Sequence, residues 1–214
     1  MKGSLIIIAF FALGIAVGLN SSFFTLHLSH SSFFILHFSL TLNNSSSFII
    51  LYALMFCVGI SIGSDTKTLK SFRSVNPRLM MLPIMTIVGS LAGTAAASAL
   101  LPHRHLFDCL AIGSGFGYYS LSSIFITEYK GAELGTIALL ANIMREIFTL
   151  LCAPLLVKFF GKLSPISMGG ATTMDTTLPI ITKTSGQDYV ILSIFHGFCV
   201  DFSVPFLVTF FCTI

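Results

Sequence analysis

The stretch LGTIALLANIMREIFTLLCAPLLVKF, residues 134–159, decides the class of fold. It is apolar and longer than the roughly 20 residues a helix needs to cross a bilayer, yet it carries Asn142, Arg145 and Glu146 at its centre. At about 1.5 Å per residue, Glu146 lies about 18 Å from either end of the run, at the depth of the bilayer midplane. An ionisable group there is costly, so it has a partner or a task. Helical spacing places Ala138, Asn142, Glu146, Thr149 and Ala153 on one narrow polar stripe. Arg145 and Glu146 are adjacent, hence about 100° apart around the helix, and each is expected to face a different neighbour. An Arg145–Glu146 pair serving only as structural glue is the plainer alternative.

The rest of the chain has the same character. Of 214 residues 55% are hydrophobic and 9% charged, against about 25% charged in soluble domains, and the mean hydropathy is +0.94. These values exclude a soluble enzyme, a nucleic-acid binder and a disordered chain. The expected fold is an all-α integral membrane protein of six to seven transmembrane segments in one domain, 1–214. Its segments are 4–19, 48–63, 79–101, 106–127, 134–159, a broken or re-entrant 164–183, and 189–211. Counted as a crossing, 164–183 makes seven spans; re-entrant, it leaves six. The first run, following Lys2, is read as an uncleaved helix rather than a signal peptide.

Charge and small residues refine this picture. The loop SDTKTLKSFRSVNPR (64–78) holds Lys67, Lys70, Arg73 and Arg78 against Asp65, which places it in the cytoplasm by the positive-inside rule. Gly89, Gly93, Ala96 and Ala97 form a stripe suited to close helix contact. SSFFTLHLSH (21–30) and SSFFILHFSL (31–40) form a near-perfect repeat, with His27 and His37 in register; it reads as duplication rather than a metal or pH-sensing pair. Cys57, Cys109, Cys152, Cys199 and Cys212 are scattered through apolar segments with no CxxC pair, so they read as small buried hydrophobes. No cofactor or metal motif is present.

Two further stretches carry chemistry. GSGFGYYSLSS (113–123) and GGATTMDTTLP (169–179) combine glycines, hydroxyls and, in the second, Asp175 and Pro179. Neither makes an undisturbed helix, and irregular backbone at membrane depth is tolerated only inside protein or beside a wet cavity. Secondary transporters build binding sites from such broken helices. His196, in the last span, is either a packed histidine or part of the same site. Asp108 and Asp201 receive no role, and Glu128 and Glu133 flank Lys130 in a solvated loop.

In order along the chain, GSGFGYYSLSSIFITEYKG (113–131), NIMREI (142–147), GGATTMDTTLPI with TSGQD (169–180, 184–188) and IFHGF (194–198) resemble the C-terminal part of the LysO-type lysine exporter family. Weaker similarity reaches FFALGIAVGL (10–19) and LMFCVGISIG (54–63). Tyr119, Ser120, Ser122, Glu128, Asn142, Arg145, Glu146, Asp175, Thr177, Pro179 and His196 fall on the family pattern. Asp108, Asp201 and the 21–40 repeat do not. The resemblance implies export of L-lysine and close analogues across the bacterial inner membrane, with no enzymatic activity. It also implies a split form, lacking N-terminal helices that a separate small membrane polypeptide would supply, with or without self-association.

Lysine export needs coupling, because expelling a cation from a negative interior costs about 2.3 kcal/mol per charge per 100 mV. A carboxylate that holds either a proton or an ammonium group, but not both, provides antiport. Glu146 is the expected exchanger, with Asn142, Asp175, Thr177, Tyr119, Ser120, Ser122 and His196 as binding-site neighbours. Arg145 or the free amides of 113–117 and 169–172 would take the substrate carboxylate. Two alternatives stay open: a non-transporting scaffold subunit, and export of another cationic or small amino acid. An intramembrane aspartyl hydrolase is disfavoured, since GSGFG is not followed by the aspartate such a dyad requires.

Overall fold

The computed structural model describes residues 78–101 and 104–214, with Leu13, Ala16, Ala53, Phe56 and Ile60 taken singly. The expected spans 4–19 and 48–63 and the repeat at 21–40 lie outside the described residues. Helices are numbered from the first described one. After a 3-10 turn at Leu79–Met81 come α1 (Leu82–Ser98), α2 (Leu106–Gly113), α3 (Tyr119–Lys130) and α4 (Ala132–Phe160). Then follow α5 (Ser164–Gly169), a 3-10 segment Gly170–Met174, α6 (Leu178–Ser185), a 3-10 turn Gln187–Tyr189 and α7 (Val190–Thr213).

The local sequence explains these boundaries. Prolines stand in the first turn of α1, α5 and α6, where a missing amide costs nothing. Helices α3, α4 and α6 stop at Gly131, Gly161 and Gly186, whose amides close the last turn on Thr127, Val157 and Thr182. The stretches Leu79–Ser98, Ala132–Phe160 and Gln187–Thr213 are long and apolar enough to cross a membrane. At 29 residues, α4 extends about 43 Å, more than the roughly 30 Å hydrocarbon core. The protein is a multi-pass, all-α membrane protein, with no strand among the described residues.

The two broken segments are hairpins. A continuous helix over 106–130 would separate its ends by about 36 Å. Instead Lys130 Nζ lies 3.3 Å from Asp108 Oδ1, and Arg104 pairs with Glu133. Segment 106–127, expected as a span with a broken or re-entrant element near 113–123, is thus two helices folded back on each other so that their outer ends meet. In the second hairpin, Ser185 Oγ donates to Lys162 O at 2.8 Å, and the Lys162 ammonium sits 5.8 Å from the Tyr189 ring centroid. Ile166, Ile181 and Leu192 close its base, with Leu79 and Leu82 packed against them. Segment 164–183 is thus a second helical hairpin, its base at the Phe160 end of α4 and the first hairpin's base at the Ala132 end. Between the bases, the tips touch: the Ala171 amide donates to Phe116 O at 2.9 Å.

Sidedness tests this directly. Single cysteines replacing Arg104 and Lys130, in a cysteine-free background, should react with an impermeant thiol reagent from the same side of the membrane. Cysteines replacing Lys162 and Lys183 should react together from the other side. Labelling that splits either pair across the two faces rules out the corresponding hairpin.

The small-residue stripe expected to pack tightly, Gly89, Gly93, Ala96 and Ala97, is exposed, and the close contact of α1 is made beside it. Thr94 is so close to Gly113 that a Cβ there would overlap it, whereas Gly89 and Gly93 meet nothing among the described residues within 4 Å of a Cβ position.

Candidate functional site at the hairpin tips

Helix α4 presents its polar stripe inward: Ala138, Asn142, Thr149 and Ala153 are buried. Asn142 fixes the first hairpin. Its Oδ1 accepts the Gly117 amide at 2.8 Å, and its Nδ2 donates to Ala138 O at 2.9 Å, with Ile112 O at 3.3 Å and Ser122 Oγ at 3.4 Å also in reach. A Cβ on Gly115 would overlap this amide, which is why the turn is glycine-rich. The turn is sharp enough to hold Phe116 at φ 44° and Gly117 at φ 93°, and a left-handed Phe costs about 1–2 kcal/mol that the packing must offset.

Arg145 fixes the second hairpin. Its Nε donates to Met168 O at 2.7 Å, Nη2 to Ser167 O at 3.0 Å and Nη1 to Ser90 Oγ at 3.2 Å. These carbonyls belong to the last turn of α5, the end at which a helix attracts a cation. The guanidinium also lies 5.8 Å from the centroid of the buried Phe116 ring. Arg145 and Glu146 make no ion pair with each other, as their angular separation on the helix implied.

Glu146 faces a separate cavity of about 250 Å³ at the junction of α3, α4, α7 and the second hairpin's tip. That is just below the roughly 300–1,000 Å³ of small-molecule sites. Its walls carry three carboxylates, Glu146, Asp175 and Asp201, with the side chains of Tyr118, Tyr119, Ser120, Thr172 and Thr176, and no cationic residue lines it. Asp201 is buried at 8% exposure. Asp175 lies exposed at the mouth, its Oδ1 accepting the Thr176 amide at 2.5 Å. The Glu146 carboxylate makes no hydrogen bond with the described residues. No group of three or more His, Cys, Asp or Glu side chains among them is placed to hold a metal ion.

Of the residues singled out in the sequence, the cavity brings together Tyr119, Ser120, Glu146 and Asp175. The others stand behind it. Ser122 donates to Tyr118 O at 2.8 Å. Thr177 lies buried with its Oγ1 3.2 Å from Thr172 Oγ1. His196, fully buried, has Nε2 2.9 Å from Thr86 Oγ1 and Nδ1 3.3 Å from Thr173 Oγ1, and so ties α1 and α7 to the second tip. Glu128 sits at the outer end of α3, away from the cavity. Asp108, left without a role, pairs with Lys130, and Glu133 with Arg104.

Asp201 is what sequence reasoning passed over. It lies midway along α7 (Val190–Thr213), the same criterion that singled out Glu146, and that position alone was signal enough. Tyr118, Thr172 and Thr176 carried no separate signal, because only the hairpin turns bring them to the void.

Comparison with known proteins places the chain. The profile of the family described as "Lysine exporter LysO" matches residues 8–212. The chain is 33% identical over 199 residues to "Lysine exporter LysO" of Escherichia coli (strain K12), covering 93% of this chain and 60% of that protein. It is 35% identical over 168 residues to "Putative lysine exporter" of Haemophilus influenzae, covering 78% of this chain and 85% of that protein. It thus spans three-fifths of the length of the Escherichia coli relative. No solved structure matches it. With the profile matched across nearly the whole sequence and the two relatives 33% and 35% identical, the chain belongs to the LysO lysine exporter family, a family of transporters rather than enzymes.

Proposed function

We propose that this chain carries the substrate and proton site of an L-lysine exporter of the bacterial inner membrane, and that the carboxylate cavity is that site. The observation that carries the reading is three carboxylates around one void, with no cation among its lining residues. Lysine brings two ammonium groups and one carboxylate, so a cavity lined by three acidic side chains favours it over a neutral amino acid. The hydroxyls of Tyr118, Tyr119 and Ser120 offer neutral donors for the substrate carboxylate. Arg145 does not line this cavity, and its bonds to Met168, Ser167 and Ser90 hold the second hairpin; Asn142 does the same for the first.

Coupling follows from the exchange. Glu146 releases a proton to the cytoplasm when lysine binds and takes one from outside when lysine leaves. One proton in for one lysine cation out moves no net charge, so the membrane potential is not worked against. Arg78, Lys158, Lys162 and Lys183 cluster around the base of the second hairpin, which makes that face cytoplasmic by the positive-inside rule. Each hairpin then closes the cavity from its own side, and withdrawal of one tip at a time gives alternating access. A small membrane polypeptide, or a second copy of this chain, completes the wall at the exposed Asp175.

The test is lysine movement in proteoliposomes under an imposed pH gradient, with this chain alone and with a membrane polypeptide covering the part of the relatives it does not span. Gradient-driven movement insensitive to an imposed potential is expected in at least one arrangement. No movement in either, from protein shown to be folded, rejects the reading. Binding of the partner without any lysine-dependent thermal shift would instead make the chain a scaffold.

A further inference from the structure

Arg145 lines a second cavity, which shares no residue with the carboxylate site. It holds about 560 Å³ and runs between α1, the end of α4 and α5, from Phe160, Leu163 and Ser164 at the second hairpin's base to Arg145 at mid-depth. Besides the guanidinium it is lined by Thr86, Ser90, Ser164 and Ser167, and by no acidic residue among the described ones. The bonds from Arg145 go to two carbonyls and one hydroxyl, and none of the described carboxylates pairs with it. These bonds leave guanidinium donors unused. Among the described residues, then, a full cation at the centre of a 29-residue spanning helix has only neutral partners. Intramembrane charges are ordinarily paired or face a water-filled cavity, and here the guanidinium meets a cavity whose described lining offers carbonyls and hydroxyls but no carboxylate.

We propose that this cavity is a small-anion site, occupied by a monovalent ion of the chloride or carboxylate type that reaches Arg145 from the second hairpin's face. The anion bridges the guanidinium to the Ser90 and Ser167 hydroxyls, and so fastens α1 to the second hairpin while neutralising the buried charge. The position of Arg145, about 100° around α4 from Glu146, keeps this anion out of the carboxylate cavity. The inference stands whether or not lysine is the substrate.

Thermal unfolding of the purified full chain in detergent tests it, titrating chloride, and separately acetate, against gluconate at constant ionic strength. A saturable upward shift is expected with at least one of the two. Chloride alone identifies a halide site, acetate alone an organic carboxylate, and both a site open to either. Arg145→Gln risks unseating the hairpin, so the discriminating variant is Ser90→Ala combined with Ser167→Ala. It should raise the half-saturating concentration tenfold or more, while Glu146→Gln leaves that concentration unchanged. A shift that never saturates, or one the double serine variant does not alter, overturns the proposal, as does no shift at all.

Discussion

Glu146→Gln should abolish lysine movement driven by a pH gradient while the protein remains folded. Gln keeps the shape of the side chain and removes both the charge and the exchangeable proton. Loss of a charge-assisted contact to the substrate ammonium costs about 1.5–3 kcal/mol, roughly tenfold to a hundredfold in affinity. Loss of the proton goes further, because coupling then has no carrier at this position. Thermal stability should barely change, since the Glu146 carboxylate makes no hydrogen bond with the described residues. Asp201→Asn should follow closely, as Asp201 is buried in the same wall. Asp175→Asn should be milder, because Asp175 sits exposed at the mouth, where its field is better screened. Gradient-driven flux in the Glu146→Gln protein within a few-fold of the parent would sink the exchange mechanism. An inverted ranking, with Asp175 dominant, would move the exchanger to the mouth.

Gly170→Ala should separate the two hairpin tips. Gly170 sits at φ 63°, and a Cβ there would run into the carbonyl oxygen of Phe116, the same oxygen that accepts the Ala171 amide. A backbone carbonyl cannot swing aside as a side-chain end can. The left-handed conformation costs a residue with a Cβ about 1–2 kcal/mol, and the tip-to-tip hydrogen bond contributes about 1 kcal/mol more. Together these predict destabilisation by about 2–3 kcal/mol, a lower apparent unfolding temperature and severe loss of transport. Gly93→Ala is the contrast: it lies within α1 with nothing among the described residues within 4 Å of a Cβ position, and Ala is the better helix former. It should be neutral or slightly stabilising. Equal damage from both substitutions would show that glycine loss in general, and not the meeting of the tips, is responsible.

Much of this was legible in one dimension, because a bilayer imposes simple arithmetic. A charged residue midway along a spanning helix must be accommodated, so Glu146 could be picked out by counting. The polar stripe through Asn142 and Thr149 followed from helical periodicity, and both are buried in the structure. The breaks at 113–123 and 169–179 were visible because three glycines in five residues, or two glycines followed by threonines and a proline, cannot sustain a helix. Asp201 satisfied the counting rule as well as Glu146 did. It was left without a role because an interfacial or paired aspartate satisfies the same rule, and the cavity wall to which it belongs does not exist along the chain.

What the sequence by itself determined is the all-α membrane class, the place of Glu146 midway along its helix and the location of the two breaks, since each depends only on local spacing and the cost of polar groups in hydrocarbon. What only the tertiary structure decided is the direction the chain takes after each break. A broken helix can continue across the membrane or turn back, and composition is the same either way. The outcome rests on long-range contacts: Asp108 with Lys130, Ser185 with Lys162, and Asn142 and Arg145 each gripping one hairpin. Those contacts bring three carboxylates from three separate elements to one cavity, and they leave Arg145 behind the hairpins as a clamp, facing away from the site that its sequence neighbour occupies.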